Sequence, residues 1–505
     1  MPHDDTTLDS WTWTPEPAGD GDSGLTFTVL YHPDPRRIGE VAAVSLAGPT
    51  RSVAVSRTEP VFGWADGPAR PLDDAYVSRT PVSFTVRGHT VRLSLPSGSA
   101  PYAVNGVRGT GREVLTVETV RSDVVVTFGR RVLVLVEPGV RPPPRREELG
   151  LVGASAATID LRRSLHAAGA VDTPVLLLGE TGTGKEVSAR AIHACSRRHR
   201  KPFVAVNLAA IPGTTAASQL FGHARGAFTG ADGANPGYFG QAEGGTLFLD
   251  ELGETPDTVQ PLLLRAVDQH EVQPVGGPVR RTDVRLISAT DADLHQLVTE
   301  RRFRKALLFR MASQTIRLRP LRERPADIAV QLIWFLEQAL GGAASVLAPP
   351  KAGGMPWLGM DVVQTMLAHR WTGNSRELRA AAFSIARESA EAGGGRAVVP
   401  MLEGAAQATP PPEPVGRSGL LGARRIREVL ERWDYQILGA AGELGVGRNT
   451  LYAAMRERGI RVAADITPAD LEAAREAVGD DTRAMARHLG VSVTNLRRRA
   501  RKLEG

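Results

Sequence analysis

The segment that most limits what this chain can become is Gly179-Glu180-Thr181-Gly182-Thr183-Gly184-Lys185-Glu186. An apolar run, Val175-Leu176-Leu177-Leu178, precedes it, and a helix-compatible stretch, 187–195, follows. Glycines at this spacing let backbone N–H groups wrap an anion, a helix N-terminus adds positive dipole, and the lysine adds a point charge. The arrangement needs a strand before it and a helix after it, so this part of the chain is expected to be α/β with a parallel sheet. The position after the lysine, where a Ser or Thr hydroxyl commonly meets a metal ion, holds Glu186. A second element, Gly244-Gly245-Thr246-Leu247-Phe248-Leu249, runs into Asp250-Glu251. A buried strand ending in two carboxylates offers what a Mg2+–water contact and a water-activating base require.

Around this centre the 505 residues divide into blocks. At roughly 150 residues per domain the length suggests three to four domains. A 42% hydrophobic composition supports buried cores and excludes wholesale disorder. Residues 138–148, rich in proline and charge, read as a stiff linker, and 392–420, with Gly-Gly-Gly and Pro-Pro-Pro runs, read as a longer one. Residues 1–24 lack an apolar core and read as a disordered tail, not a secretory signal. Residues 25–137 alternate apolar and polar positions, as in Val82-Ser83-Phe84-Thr85-Val86, which predicts an all-β sandwich or barrel. Residues 149–391 alternate strand-like runs with amphipathic stretches, and 421–505 read as helical throughout. The single cysteine, Cys195, excludes an internal disulfide framework, and no apolar run reaches the roughly 20 residues a membrane helix needs. A cytoplasmic protein with no membrane partner is expected. The net charge of +6 permits a nucleic-acid partner without requiring one.

Between the two phosphate-site elements lies Leu220-Phe221-Gly222-His223-Ala224-Arg225-Gly226-Ala227-Phe228-Thr229-Gly230-Ala231. This run resembles the GAFTGA signature of AAA+ activators that act on sigma-54 RNA polymerase. The resemblance covers 151 to about 388. It takes in the sensor-like strand Val284-Arg285-Leu286-Ile287-Ser288-Ala289-Thr290, the segment from Phe303-Arg304 to Arg310, and Trp371-Thr372-Gly373-Asn374-Ser375-Arg376. It implies an AAA+ P-loop ATPase with a helical lid, using ATP and Mg2+. Gly179, Glu180, Thr181, Gly182, Thr183, Gly184, Lys185 and Glu186 would form the ATP loop, with Arg376 as the second sensor. Asp250 would organise Mg2+, Glu251 would polarise the attacking water, and Asn207 would restrain that glutamate. Arg304 and Arg310 would reach a neighbouring subunit's nucleotide, which implies a homo-oligomeric ring, typically a hexamer. Gly226, Ala227, Phe228, Thr229, Gly230 and Ala231 would contact sigma-54. The family's Asn after the sensor threonine is Asp291 here, its Asp in the arginine segment is Ala306, its acid before the second catalytic strand is Gly240, and its Glu two residues before Phe221 is Gln219. Together these departures point to reduced or unusually regulated ATPase activity.

The last block reads as one helix-turn-helix unit used twice, in 421–461 and 466–505. Leu444-Gly445-Val446 aligns with Leu489-Gly490-Val491, a tight turn before a second helix in each. The first unit resembles the Fis-type domain that ends these activators, which implies upstream enhancer DNA as a partner. Arg448, Asn449, Thr450 and Tyr452 are its candidate DNA contacts; Thr494, Asn495, Arg497 and Arg498 are those of the second. The β block resembles a forkhead-associated domain through Arg37-Ile38-Gly39, Val77-Ser78-Arg79 and Val104-Asn105-Gly106. That implies a phosphoprotein or other protein regulator, with Arg37, Ser78, Arg79 and Asn105 as candidate phosphopeptide contacts. The family's phosphate-contacting arginine is Glu40, however, and a carboxylate there has the wrong sign for a phosphate. The expected whole is a multidomain ATP-dependent transcriptional activator that remodels the sigma-54 polymerase closed complex. Its rivals are a DNA-binding regulator with a vestigial ATPase and a general AAA+ remodeller.

Overall fold

In 24–138 the alternating pattern becomes two antiparallel sheets. One runs β2 (Val41–Ser45), β1 (Gly24–Tyr31), β10 (Val132–Pro138), β9 (Val124–Phe128), β6 (Tyr102–Val104), β7 (Val107–Arg108); the other runs β3 (Ser52–Val55), β4 (Val82–Arg87), β5 (Thr90–Ser94), β8 (Leu115–Glu118). The inward positions of the two sheets meet in one core that includes Phe27, Val134, Val53 and Phe84. Phe27 and Phe84 pack edge to face across it, with centroids 5.2 Å apart. This computed structural model describes 24–45, 52–87, 90–94, 102–105, 107–108, 115–118, 124–129, 131–229, 231–348, 355–391, 395–398, 423–432, 466–479 and 481–489, with Tyr435, Leu451, Met455, Ile460, Val491 and Leu496.

The run Val132-Leu133-Val134-Leu135-Val136 is apolar at every position because both faces of β10 are covered. Val132, Val134 and Val136 enter the sandwich core, whereas Leu133 and Leu135 join Leu30, Tyr31 and Ile38 in a second cluster with Val330, Ile333 and Leu358. Those last residues belong to the helical lid of the next domain, in and after α8 (Pro325–Leu340). The β domain is therefore packed on the lid rather than tethered near it. The Tyr31 hydroxyl donates to the Leu358 carbonyl at 3.0 Å. Residues 138–148, expected to be a stiff linker, form a fastened strap. The Pro144 carbonyl accepts from the Ala65 N–H, and Arg162 donates to the carbonyls of Arg145 and Arg146. Arg146 also pairs with Glu337 of α8 at 2.8 Å.

The middle domain is built on a parallel sheet in the order β14 (Phe203–Asn207), β15 (Thr246–Asp250), β18 (Arg285–Thr290), β13 (Val175–Leu178), β19 (Gln314–Arg317). Parallel strands buried on both faces read as continuous apolar runs, which explains Val175–Leu178 and Thr246–Asp250. Helices α1 (Ala156–Ala170), α2 (Lys185–Ala194), α5 (Gln260–Gln269) and α7 (Lys305–Met311) flank the sheet; α8, α9 (Met360–Ala368) and α10 (Asn374–Glu391) form the lid. The fully buried Asp327 of α8 joins lid to core. It accepts from the N–H groups of Ala154 and Ser155 and the hydroxyls of Ser155 and Thr158, all at 2.6–2.9 Å, and pairs with Arg324.

Residues 404–505 form a separate compact unit. Its described parts include helices Ala423–Arg432, Pro468–Val478 and Thr482–His488. Thr467 and Asp470 make a reciprocal capping box at the start of the second. Met485, Ala486, Leu489, Val491 and Leu496 share a core with Ile466 and Ala474. The DNA-contact candidates Arg448, Asn449, Thr450, Tyr452, Thr494, Asn495, Arg497 and Arg498 lie outside the described residues. Among the described residues, no helix is long and apolar enough to cross a membrane.

Candidate nucleotide site and its exposed loop

Ligands of open parallel sheets bind beyond the carboxyl ends of the strands, and the phosphate-site residues gather there. β13 ends at Leu178, the loop 179–184 follows, and Lys185 opens α2. Gly182 and Gly184 have φ of 78° and 105°, which side-chain-bearing residues rarely adopt. Gly182 has a second constraint: a Cβ there would collide with the Gly373 carbonyl oxygen of the lid. The Lys185 ammonium donates to the Gly179 carbonyl at 2.8 Å, and the Thr183 hydroxyl donates to the Glu180 carbonyl.

The other loop residues face three ways. The Thr181 hydroxyl donates to an Asp291 carboxylate oxygen at 2.8 Å. Glu180 takes a two-pronged contact from Arg322 at 2.6 and 2.8 Å and a third from the Asn374 amide at 3.2 Å. Those contacts hold the Glu180 carboxyl below its usual range, the Arg322 hydrogen bond being the main cause. Glu186 turns to the surface of α2 and pairs with Arg190 one turn on. Its carboxylate charge still reaches Asp250, where it opposes ionisation.

Asp250 closes β15, and Glu251 follows with a left-handed φ of 54° that re-aims its side chain. Burial pushes the Asp250 carboxyl above its ordinary value; Lys185 and the Glu251 N–H oppose the rise. Glu251 is also raised, first by burial and next by the charge of Asp291. Asn207 stands opposite Asp250 in the β14–β15 pairing, and its side-chain oxygen accepts from the Ala209 N–H. Arg376, near the start of α10, has its Cβ beside Gly182. Arg304 and Arg310 are carried exposed at the start and end of α7, and Arg310 pairs with Asp268 at 2.8 Å.

The GAFTGA segment is a tight turn with its aromatic outward. The Gly226 N–H donates to the Ala231 carbonyl and the Ala231 N–H to the Phe228 carbonyl. Ala231 is buried while Phe228 is 48% exposed, with its ring edge-on to His223 at 5.0 Å. His223 is pinned by paired backbone hydrogen bonds with Asn235 and by the Ser218 hydroxyl at 2.8 Å. Gly230 lies outside the described residues.

Sequence reasoning missed Arg322 and Asn374. Asn374 is fully buried at φ 53°; its oxygen accepts from the Leu321 N–H, and its amide donates to Glu180 and the Thr181 carbonyl. Asn374 lies inside the 371–376 motif, but only the fold brings it and Arg322 to the phosphate loop.

Residues 151–317 match the sigma-54 interaction domain family. This part of the chain is a sigma-54 interaction domain. That domain is an AAA+ ATPase. The transcriptional regulator NtrC of Rhizobium meliloti is 42% identical over 250 residues, 48% of this chain and 50% of that protein. The nitric oxide reductase transcription regulator NorR2 of Cupriavidus necator is 37% identical over 363 residues, 70% of this chain and 63% of that one. The solved structure of NtrX from Brucella abortus in complex with ADP aligns at a TM-score of 0.47 with 28% identity, covering 61% of this chain and 70% of that one. The chain spans about half to two thirds of the length of these curated relatives.

Each described candidate phosphopeptide residue of the β domain has its own surroundings. Arg37 is 3% exposed; it pairs with Glu40 at 2.8 Å and donates to the carbonyls of Arg70, Pro71 and Leu72. Glu40 is thus the buried counter-ion of Arg37 and does not face an incoming anion. The Asn105 side chain accepts from the Val125 N–H and the Ser78 hydroxyl from the Thr80 N–H, while Arg79 is exposed. Among the described residues no hydrogen bond or ion pair joins the four. As an outward phosphate contact Arg37 is corrected: its guanidinium is consumed inside the fold.

Proposed function

We propose that this chain is an ATP-driven transcriptional activator that binds upstream DNA, assembles into a ring and remodels the sigma-54 polymerase closed complex. The observation that carries this reading is one domain holding both an intact phosphate site and an outward GAFTGA turn, with Phe228 exposed on a fixed His223 pedestal. An aromatic displayed on a glycine-flanked turn suits contact with another protein better than it suits the core.

Each residue has a derivable task. The loop amides and Lys185 orient the phosphates, and Lys185 exchanges its Gly179 carbonyl for a phosphate oxygen. Glu251, with its proton affinity raised by burial, accepts the proton of the attacking water. The donor set fits Mg2+. This ion binds one or two carboxylates plus phosphate oxygens and water, and Asp250 is a half-buried carboxylate beside Lys185. When bound, Mg2+ neutralises phosphate charge. Arg304 and Arg310, exposed at the start and end of α7, would complete a neighbour's site, and the working unit would then be a homo-oligomer, a hexamer by family resemblance. The C-terminal unit is read as two helix-turn-helix DNA readers. The sandwich is read as a forkhead-associated-like regulator that acts by protein contact through its seat on the lid.

The decisive experiment is ATP-dependent promoter opening by sigma-54 polymerase with wild type, Lys185→Ala and Thr229→Ala. Loss of opening in both variants, with ATP turnover retained by Thr229→Ala, is expected. Opening by either variant at the wild-type rate would overturn the reading.

A further inference from the structure

β18 lies between β13 and β15, with Thr290 level with Leu178 of β13. Asp291 follows Thr290 directly, so it stands between the phosphate loop after β13 and the Asp250-Glu251 pair after β15. Its carboxylate holds the Thr181 hydroxyl at 2.8 Å. A terminal phosphate drawn in by Lys185 and attacked by water from Glu251 must enter this same gap. Three carboxylates then border it where the resembling family has two and an amide. A neutral Asn at 291 would accept the same Thr181 hydrogen bond. The acid's distinctive contribution is therefore charge, and it opposes a triphosphate more than a diphosphate, because only the triphosphate places a γ-phosphate in the gap.

We propose that Asp291 sets the nucleotide preference of this site, lowering its affinity for ATP relative to ADP and so biasing the resting chain toward the diphosphate-bound form. The proposal rests on the ATPase reading above. It assigns Asp291 a specificity role and no part in proton transfer.

The test is equilibrium titration of the full chain with ATP and with ADP, in EDTA and again with Mg2+. Asp291→Asn is expected to tighten ATP binding in EDTA by roughly three- to ten-fold, and ADP binding by less than about two-fold. The gain should shrink as salt rises, since Asp291 is exposed and its field is screened. Thr181→Val removes the hydroxyl but keeps the charge, and is expected to leave the ATP-to-ADP ratio unchanged. An unchanged ratio in Asp291→Asn overturns the proposal. So does a shift of that ratio toward ADP, or a Thr181→Val variant that reproduces the Asp291→Asn shift. If wild type binds neither nucleotide, the ATPase reading falls as well; if wild type binds both and only the ratio fails to move, that reading stands and this proposal alone is lost.

Discussion

Two arginine–glutamate pairs in this chain share the same chemistry and do opposite things. Arg37 and Glu40 in the β domain are both at most 5% exposed, and the guanidinium's other donors are taken up by carbonyls. Arg322 and Glu180 at the phosphate loop are each 41% exposed, and the residues around them keep groups that a ligand can displace, as a phosphate oxygen would displace the Gly179 carbonyl from Lys185. A ligand site needs polar groups whose native partners are replaceable. A structural site is one in which every group is already satisfied and buried. By that measure the phosphate loop is a binding site and the region of Arg37 is scaffolding.

The largest expected effect breaks the buried pair. Arg37→Ala would take from buried Glu40 its closest cation, leaving it only Arg70 at 3.3 Å, and would remove the donor from the Pro71 carbonyl, at a cost of about 3–5 kcal/mol. Arg37→Met with Glu40→Leu removes both charges and is expected to recover most of that loss. Urea unfolding followed by hydrogen exchange of the β1 and β10 amides measures both. If Arg37→Ala left the stability intact and weakened phosphopeptide binding instead, the contrast between the two pairs would be wrong.

The matching experiment on the other side removes the ligand-facing cation. Lys185→Ala is expected to lower ATP turnover by about 10²- to 10³-fold, read as phosphate release, with little loss of folding stability. A variant that unfolded rather than lost turnover would place Lys185 with Arg37 as scaffolding.

The site and the sandwich were legible in the sequence to different degrees, for physical reasons. Phosphate binding relies on backbone geometry that glycine advertises, so Gly182 and Gly184 announced it in the sequence. The alternation of 82–86 announced a strand, but the unbroken apolar run 132–136 gave no hint of which element would cover its second face. Lid helix α8 does so from about 200 residues away. Glu40 looked like a damaged phosphate site because its partner Arg37 was itself counted as a ligand, and only burial distinguishes the two roles. Asn374 was quoted as part of a motif, yet its fully buried αL position against Leu321 and Glu180 depends on packing that one-dimensional spacing does not encode.

Acid provides a third, smaller test of the scaffold side. His32 is buried; its Nδ1 accepts from the Asp34 N–H, so its Nε2 carries the proton shared with the Leu72 carbonyl. Burial first, and the Arg37 charge next, push its pKa down to about 4. Between pH 6.5 and 4 the unfolded chain binds a proton that the folded chain refuses, so β-domain stability falls as pH drops through that window and loses nothing more to His32 below it. The full loss is about 3 kcal/mol. Glu40, raised by burial, opposes it at the acid end. His32→Leu should flatten the slope seen by hydrogen exchange of β1 between pH 7 and 5, and an unchanged slope would remove His32 as its source.

The smallest effect lies at the exposed pair. Arg322→Gln should change folding stability by less than about 1 kcal/mol, because a half-exposed ion pair is screened and entropically costly to hold. Its effect on nucleotide handling should be larger than its effect on stability. The Arg322–Glu180 contact and the Asn374 amide together fasten the lid to the phosphate loop, and the β domain is packed on that same lid. Loosening one fastener should raise KM for ATP by about two- to five-fold with kcat less affected, and high salt should reproduce the change in wild type. If Arg322→Gln instead matched Arg37→Ala in lost stability, the exposed pair would also be scaffolding, and the lid would have no adjustable hold on the loop.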